Sequence, residues 1–355
     1  PPPSRPPPPP PTPTLPTFRR QRQMCIRDRF GSDTSIESPL NLADFDGSNG
    51  FLVHGAAAFD YSGFSVSAAG DINGDGFDDL VVGAPSSSLG GTYAGSVYII
   101  HGSDQAFSSP LNLNQQGEFS VITELEDNAD AGSSVSQAGD FNGDGIDDLV
   151  IGAPLAGVLD SGSAYVVFGS EQGLPESFAD LDGTNGFLMT GLGAGDLLGN
   201  SVSGGFDLNG DGFDDVIIGA PLAGVEGAYT GSAYVVFGSD QLFGASFDLG
   251  TLNGSNGFVI SGLQDGDSFG KSTGATGDIN GDGLGDIVIG APDSGLDGNK
   301  AGSSYVIFGS LSEFSASVDL ANLDGTVGVE IAGESPGDES GIAVSGGLDL
   351  NRDGV

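Results

Sequence analysis

The feature that most constrains this chain is a fifteen-residue segment that it writes four times. Residues 71–85 read DINGDGFDDLVVGAP, and the pattern returns as DFNGDGIDDLVIGAP from Asp140, DLNGDGFDDVIIGAP from Asp207 and DINGDGLGDIVIGAP from Asp278. A fifth copy starts at Asp349 and runs into the end of the sequence at Val355. The period is about 70 residues, and repetition on that scale means copies of one supersecondary unit stacked on one another.

Three further landmarks keep step with the first. AGSVYIIHGS from Ala94 follows the first motif, with SGSAYVVFGS from Ser161, TGSAYVVFGS from Thr230 and AGSSYVIFGS from Ala301 after the others. NGFLVHG from Asn49, NGFLMTG from Asn185 and NGFVISG from Asn256 precede the motif, whereas the second repeat carries GEFSVITEL from Gly117. A glycine stands eight residues before each motif, at Gly63, Gly132, Gly199, Gly270 and Gly341. Each unit thus offers four short β-branched runs bounded by Gly, Asn and Asp, which read as strands. No 3.6-residue stripe supports a helical solenoid. Four strands per unit, repeated about an axis, predict an all-β fold: a β-propeller of four-stranded blades, incomplete in this sequence.

Composition narrows the function. The 49 acidic residues against 9 basic ones give a net charge of −40, which repels nucleic acid and anionic membrane surfaces and attracts cations. No apolar run is long enough to span a bilayer, so membrane insertion is not expected. Cys25 is the only cysteine, so no intrachain disulfide can staple the fold. Residues 1–29 differ from the rest: they are Pro-rich and hold six of the nine basic residues. They read as a disordered segment, and RRQRQMCIRD within them resembles translated sequencing-adapter read-through. The repeat domain is therefore expected over residues 30–355.

The acidic motif, D-x-N-x-D-G-x-x-D, has the spacing of a cation loop. Side chains at positions 1, 3 and 5 of a curled loop face one point, Gly at position 6 allows the sharp turn, position 7 offers a carbonyl, and position 9 adds a carboxylate. These are hard oxygen donors of the kind Ca2+ prefers. The predicted ligands are Asp71, Asn73, Asp75, the Phe77 carbonyl and Asp79 in the first loop. The second supplies Asp140, Asn142, Asp144, the Ile146 carbonyl and Asp148, and the third Asp207, Asn209, Asp211, the Phe213 carbonyl and Asp215. The fourth supplies Asp278, Asn280, Asp282, the Leu284 carbonyl and Asp286, and the truncated fifth Asp349, Asn351 and Asp353. Position 8 is Asp78, Asp147 and Asp214 but Gly285, and this variation predicts a side chain turned to solvent. An EF-hand is excluded, because position 12 is Val82, Ile151, Ile218 or Ile289 and a β-rich run follows in place of a helix. Mg2+ keeps its waters, and Zn2+ lacks Cys or paired His ligands here. Metal-free Asp-Gly turns are the alternative. Four complete copies at identical offsets favour the cation.

The motifs resemble the FG-GAP repeat of the integrin α-subunit β-propeller and its bacterial relatives. The name-giving residues are Phe269-Gly270 and Gly83-Ala84-Pro85, Gly152-Ala153-Pro154, Gly219-Ala220-Pro221 and Gly290-Ala291-Pro292; Ser62, Ala131, Leu198 and Ser340 replace the Phe elsewhere. The resemblance covers residues 43–355. It implies calcium loops between the innermost strand and the next, on the face opposite a partner-binding surface, and a ring of seven blades. With four complete loops, the ring would not close, and an open strand edge would favour edge-to-edge self-association.

Little in the sequence points to catalysis. His54 and His101 read as ordinary strand residues, and no nucleophile elbow, Walker loop or zinc-protease motif occurs. The expectation is a non-enzymatic, extracellular or cell-surface, calcium-stabilised propeller that mediates adhesion by binding a protein or glycan. The resemblance would put its partner on residues 86–93, 155–160, 222–229 and 293–300, where Tyr93 and Tyr229 are the aromatic candidates, together with the loops before each leading strand. The runner-up is the non-catalytic propeller of a larger secreted enzyme such as a hydrolase. A purely structural surface-layer component is a third reading.

Overall fold

The computed structural model describes residues 25–28 and 41–346, apart from 116, 118, 225–227 and 296–299. Among them no α-helix occurs; short 3-10 turns punctuate a chain of strands. The first three are β1 (Cys25–Asp28), β2 (Phe51–His54) and β3 (Val66–Gly70). They are followed by β4 (Asp79–Ala84), β5 (Ser96–Ile100), β6 (Leu111–Asn112) and β7 (Phe119–Thr123). The second repeat supplies β8 (Ser134–Gly139), β9 (Asp148–Ala153), β10 (Ser163–Val167) and β11 (Gly186–Thr190). The third supplies β12 (Ser201–Phe206), β13 (Asp215–Ala220), β14 (Ser232–Val236), the two-residue β15 (Ser246–Phe247) and β16 (Gly257–Ser261). The fourth contains β17 (Ser272–Gly277), β18 (Asp286–Ala291), β19 (Ser303–Ile307), β20 (Ser317–Val318) and β21 (Gly328–Ala332).

These strands pair as antiparallel blades in chain order: β3-β4-β5-β7, β8-β9-β10-β11, β12-β13-β14-β16 and β17-β18-β19-β21. The tiny β15 and β20 lie parallel to the outer strands β11 and β16 of the preceding blades. Strand β2 is an outer strand too, with β6 parallel on one side. On its other side β1 pairs antiparallel, in the place a third blade strand takes elsewhere. Residues 25–28 thus meet the repeat domain, although their composition sets them apart from it.

The second and third strands of the blades are buried almost throughout, and β9, β13 and β18 are buried at every position. Their sequences, DLVIGA, DVIIGA and DIVIGA, lack polar alternation because each blade is covered on both faces. The cores accordingly lie between blades. Ile72, Val81 and Ile99 of the first blade pack with Leu149, Ile151 and Val167 of the second, and the same arrangement repeats twice further along the chain.

The glycine landmarks form the seams. A Cβ on Gly83, Gly152, Gly219 or Gly290 would run into the carbonyl of Gly132, Gly199, Gly270 or Gly341 in the next repeat. The same carbonyls accept hydrogen bonds from Ser65, Ser134, Ser201 and Ser272 at 2.7–2.9 Å. These glycines are needed for close backbone approach, and Gly132 and its counterparts also for a left-handed φ near 85°.

Candidate metal centres

Each acidic loop leaves an inner strand through a register shift, between Ala68 and Gly70 in the first blade, and re-enters on the next strand. The bulge bends the chain over, and glycines at positions 4 and 6 complete the curl; Gly74 and Gly76 have φ of 70° and 91°. The curl directs the polar side chains onto the loop's own amides. Asp71 accepts from the Asp75 and Gly76 N–H groups at 2.9 and 2.8 Å, Asn73 accepts from Asp75 at 2.9 Å, and Asp75 accepts from Phe77 at 3.0 Å. Asp207, Asn209 and Asp211 repeat this pattern, as do Asp278, Asn280 and Asp282. In the second loop Asp140 accepts from Gly145 through Oδ2, while its Oδ1 is buried and has no hydrogen-bond partner.

The ninth-position carboxylates, Asp79, Asp148, Asp215 and Asp286, are buried. Backbone amides hold Asp148, Asp215 and Asp286 on two sides, and the Gly102 amide holds Asp79 at 2.6 Å. Asp215 accepts from Leu208 at 2.8 Å and Gly238 at 3.0 Å, and Asp286 from Ile279 at 2.7 Å and Gly309 at 2.8 Å. Asp148 accepts from Phe141, Asn142 and Gly169. Burial pushes the carboxyls of Asp148, Asp215 and Asp286 up, the amide bonds pull them part of the way back, and the carboxylates at positions 1 and 5 of the same loop push them up further. Positions 1, 5 and 9 therefore lie within electrostatic reach of one another, and a divalent cation would relieve that repulsion.

Among the described residues, no three acidic, histidine or cysteine side chains converge closely enough to form a cation cage by themselves. The predicted set also counts an amide oxygen and a backbone carbonyl. It fits a hard cation on its chemistry: every donor is oxygen, and a buried Asp140 oxygen has no partner. Asp349, Asn351 and Asp353 of the fifth copy lie outside the described residues.

Three side chains, Asp147, Asp214 and His101, differ from their sequence-based expectation. Position 8 does not simply face solvent. Asp147 and Asp214 are half-buried, and each accepts the N–H of the first loop residue of the preceding blade, Asp71 at 2.8 Å and Asp140 at 3.0 Å. The partner belongs to another blade, so spacing within one repeat could not reveal it. His101 is not a strand residue but lies one position past the end of β5. Its Nδ1 lies 3.2 Å from Asn73 Nδ2 and 3.4 Å from Asp79 Oδ2, and its Nε2 lies 2.9 Å from Ser120 Oγ. Phe168, Phe237 and Phe308 occupy the same position in the other repeats, and that contrast was the available signal.

The opposite end of the blades carries the loops that follow Gly-Ala-Pro and those that precede each inner strand. They share one face, because Ser86, Leu155, Leu222 and Asp293 donate backbone N–H groups to the carbonyls of Asp60, Ala129, Asp196 and Asp267. Asp60, Asp196 and Asp267 are buried, and their carboxylates accept backbone N–H groups of their own loops. The second repeat has Ala129 in that place. Glu124 substitutes, accepting from the Leu125 and Glu126 amides and from the Tyr165 hydroxyl. Leu89, Tyr93, Val158, Leu159 and Tyr229 project from this face and are exposed.

Four-stranded blades in series, each with an acidic loop after its inner strand, define the chain as a repeat-built β-propeller. Residues 62–100, 131–167, 198–236 and 269–307 match the FG-GAP repeat, and the chain is an FG-GAP repeat propeller similar to that of integrin α subunits. It is 37% identical over 187 residues to Integrin alpha-PS5 of Drosophila melanogaster, a match covering 52% of this chain and 17% of the relative. It is 34% identical over 166 residues to Integrin alpha-5 of Xenopus laevis, covering 45% and 15%. It is also 36% identical over 185 residues to Phosphatidylinositol-glycan-specific phospholipase D of Bos taurus, covering 48% and 21%. These matches span about half of the chain and at most about a fifth of each relative. Among the described residues, no helix is long and apolar enough to cross a membrane.

Proposed function

We propose that this chain is a calcium-stabilised, extracellular propeller that mediates adhesion by binding a protein or glycan, and that it has no catalytic role of its own. The observation that carries this reading is the division between its two ends. One end repeats the same oxygen-rich loop four times with little change, and the other presents loops of differing sequence with exposed Leu89, Tyr93, Val158, Leu159 and Tyr229. A constant, cation-ordered scaffold carrying a varied apolar and aromatic surface suits recognition better than chemistry.

Calcium, when bound, neutralises the crowded carboxylates and fixes the loop backbone. Asp71, Asn73, Asp75, the Phe77 carbonyl and Asp79 would hold it in the first blade, and the corresponding residues in the next three. The chain's own contribution is to hold the ninth carboxylate in place with backbone amides before any ion arrives.

The test is a binding screen of the full chain against a printed glycan panel and a set of purified extracellular-matrix proteins, in calcium and in chelator. Calcium-dependent binding, weakened about tenfold by Tyr93→Ala or Leu159→Ser with no change in melting temperature, supports the reading. Binding that survives both substitutions and the chelator contradicts it. A second reading is suggested by the similarity to Phosphatidylinositol-glycan-specific phospholipase D: the chain would be the non-catalytic propeller of a larger secreted enzyme. It predicts binding to a catalytic domain encoded in the same reading frame.

A further inference from the structure

The first three acidic loops are joined to one another by side-chain bridges. Asp147 of the second loop reaches the first and accepts the Asp71 N–H at 2.8 Å, and Asp214 of the third reaches the second and accepts the Asp140 N–H at 3.0 Å. Asp71 and Asp140 are the first predicted ligands of their loops. Asp214 also donates its own N–H to the Asp140 carbonyl at 3.3 Å, so Asp140 is gripped from both sides of its backbone.

The sequence adapts to this bridge on both sides of the seam. The residue before Asp71 is Gly70 and the residue before Asp140 is Gly139; a Cβ on either would collide with the carboxylate of Asp147 or Asp214. At the third seam both partners change together. Phe206 precedes Asp207, and the facing position 8 is Gly285, where a Cβ would come within 3.0 Å of Phe206 Cβ. Only a backbone bond remains there, from the Gly285 N–H to the Asp207 carbonyl at 2.9 Å. Asp78 has no acidic loop before it among the described residues, and it is exposed. A Gly–Asp pair at two seams and a Phe–Gly pair at the third is the pattern expected of two positions that meet.

We propose that Asp147 and Asp214 are interblade positioning residues, each fixing the first ligand of the preceding calcium loop, so that carboxylate bridges couple loops one, two and three, whereas loop four lacks such a bridge and meets Asp207 of loop three only through its backbone. The proposal rests on the calcium reading of the loops. The carboxylate touches no ion itself. It anchors the backbone from which Asp71 or Asp140 reaches toward the ion, and ordering one loop therefore lowers the ordering cost of the loop before it. Calcium should fill the first three loops with greater positive cooperativity than the fourth.

The first test uses the unmodified full chain in chelator, by residue-resolved amide hydrogen exchange. The Asp71 and Asp140 amides should exchange at least about tenfold more slowly than those of Asp207 and Asp278. Equal exchange at all four overturns the bridge, with or without calcium binding. The second test is calorimetric calcium titration. Asp147→Ala or Asp214→Ala should weaken one bound ion by about fivefold to tenfold relative to the Asp78→Ala control, as expected for loss of a half-buried charge-assisted bond. Asp147→Asn keeps an acceptor oxygen and should stay within about twofold of Asp78→Asn. If Asp147→Ala and Asp78→Ala weaken calcium equally, or if Asn is as damaging as Ala, the effect is general charge and the proposal falls. Should the unmodified chain take up no calcium, the calcium reading fails at that step, before any variant is compared, and the coupling claim falls with it.

Discussion

Replacing Asp215 by alanine separates the two tasks assigned to the ninth-position carboxylate. That carboxylate accepts the buried Leu208 and Gly238 amides. Leaving two buried N–H groups without acceptors costs about 1–3 kcal/mol each. Removing a buried charge that Asp211 and Asp207 repel returns part of this, so the net loss in chelator should be about 2–3 kcal/mol. Calcium adds a second loss. An ion at about 100 times its Kd stabilises the folded state by about 2.7 kcal/mol per site, and the variant forfeits that at the third loop. The difference between parent and variant should therefore grow to about 5 kcal/mol in calcium. Urea unfolding followed by far-ultraviolet circular dichroism and tyrosine fluorescence, which suits a chain with no tryptophan, measures both. A loss below about 1 kcal/mol in chelator refutes the structural role. Equal losses in the two buffers refute the ligand role.

Gly139→Ala should cost about 2–4 kcal/mol, since its Cβ would meet the Asp214 carboxylate at a φ of 65°, whereas Gly145→Ala, with φ 88° but open space around it, should cost about 1 kcal/mol; urea midpoints compare them. In chelator the chain should become more stable as pH falls from neutrality toward the ordinary carboxyl value of 3.8. Burial raises the carboxyls of Asp60, Asp130, Asp196 and Asp267 above their ordinary 3.8, so the folded state binds more protons than the unfolded one in that window and stability falls as pH rises through it. Below that window the sign reverses, because hydrogen bonds hold Asp46, Asp182 and Asp324 below 3.8 and protonation removes their contribution. Melting temperatures in chelator across that range check this, and a steady fall in stability on acidification from neutrality would contradict it.

The blades could be read from the sequence because each strand recurs with its bounding glycines, and the acidic loops because four copies preserve every donor. Features that depend on a neighbouring blade could not be read in this way. The change from Asp147 and Asp214 to Gly285 looked like the freedom of a solvent-facing position. It is matched by the change from Gly70 and Gly139 to Phe206 across the seam, which one repeat viewed alone does not contain. The two-residue strands β15 and β20 were invisible for a similar reason, since two residues carry no periodicity and their partners lie in the preceding blade. Glu124 escaped notice because it does the work of Asp60 and Asp196 from an earlier position in its repeat. The place of residues 25–28 beside β2 is a strand pairing between segments distant in sequence, which composition cannot report.

If the acidic loops are cation sites on which the fold depends, ion binding and stability must rise together. Calorimetric titration of the full chain with calcium, paired with thermal melts in calcium and in chelator, tests it most directly. Several ions should bind per chain, with a large upward shift in Tm, since each filled site at about 100 times its Kd adds about 2.7 kcal/mol. No heat of binding and superimposable melts would mean that the loops are turns held by their own amides, and the calcium-stabilised propeller would have to be abandoned.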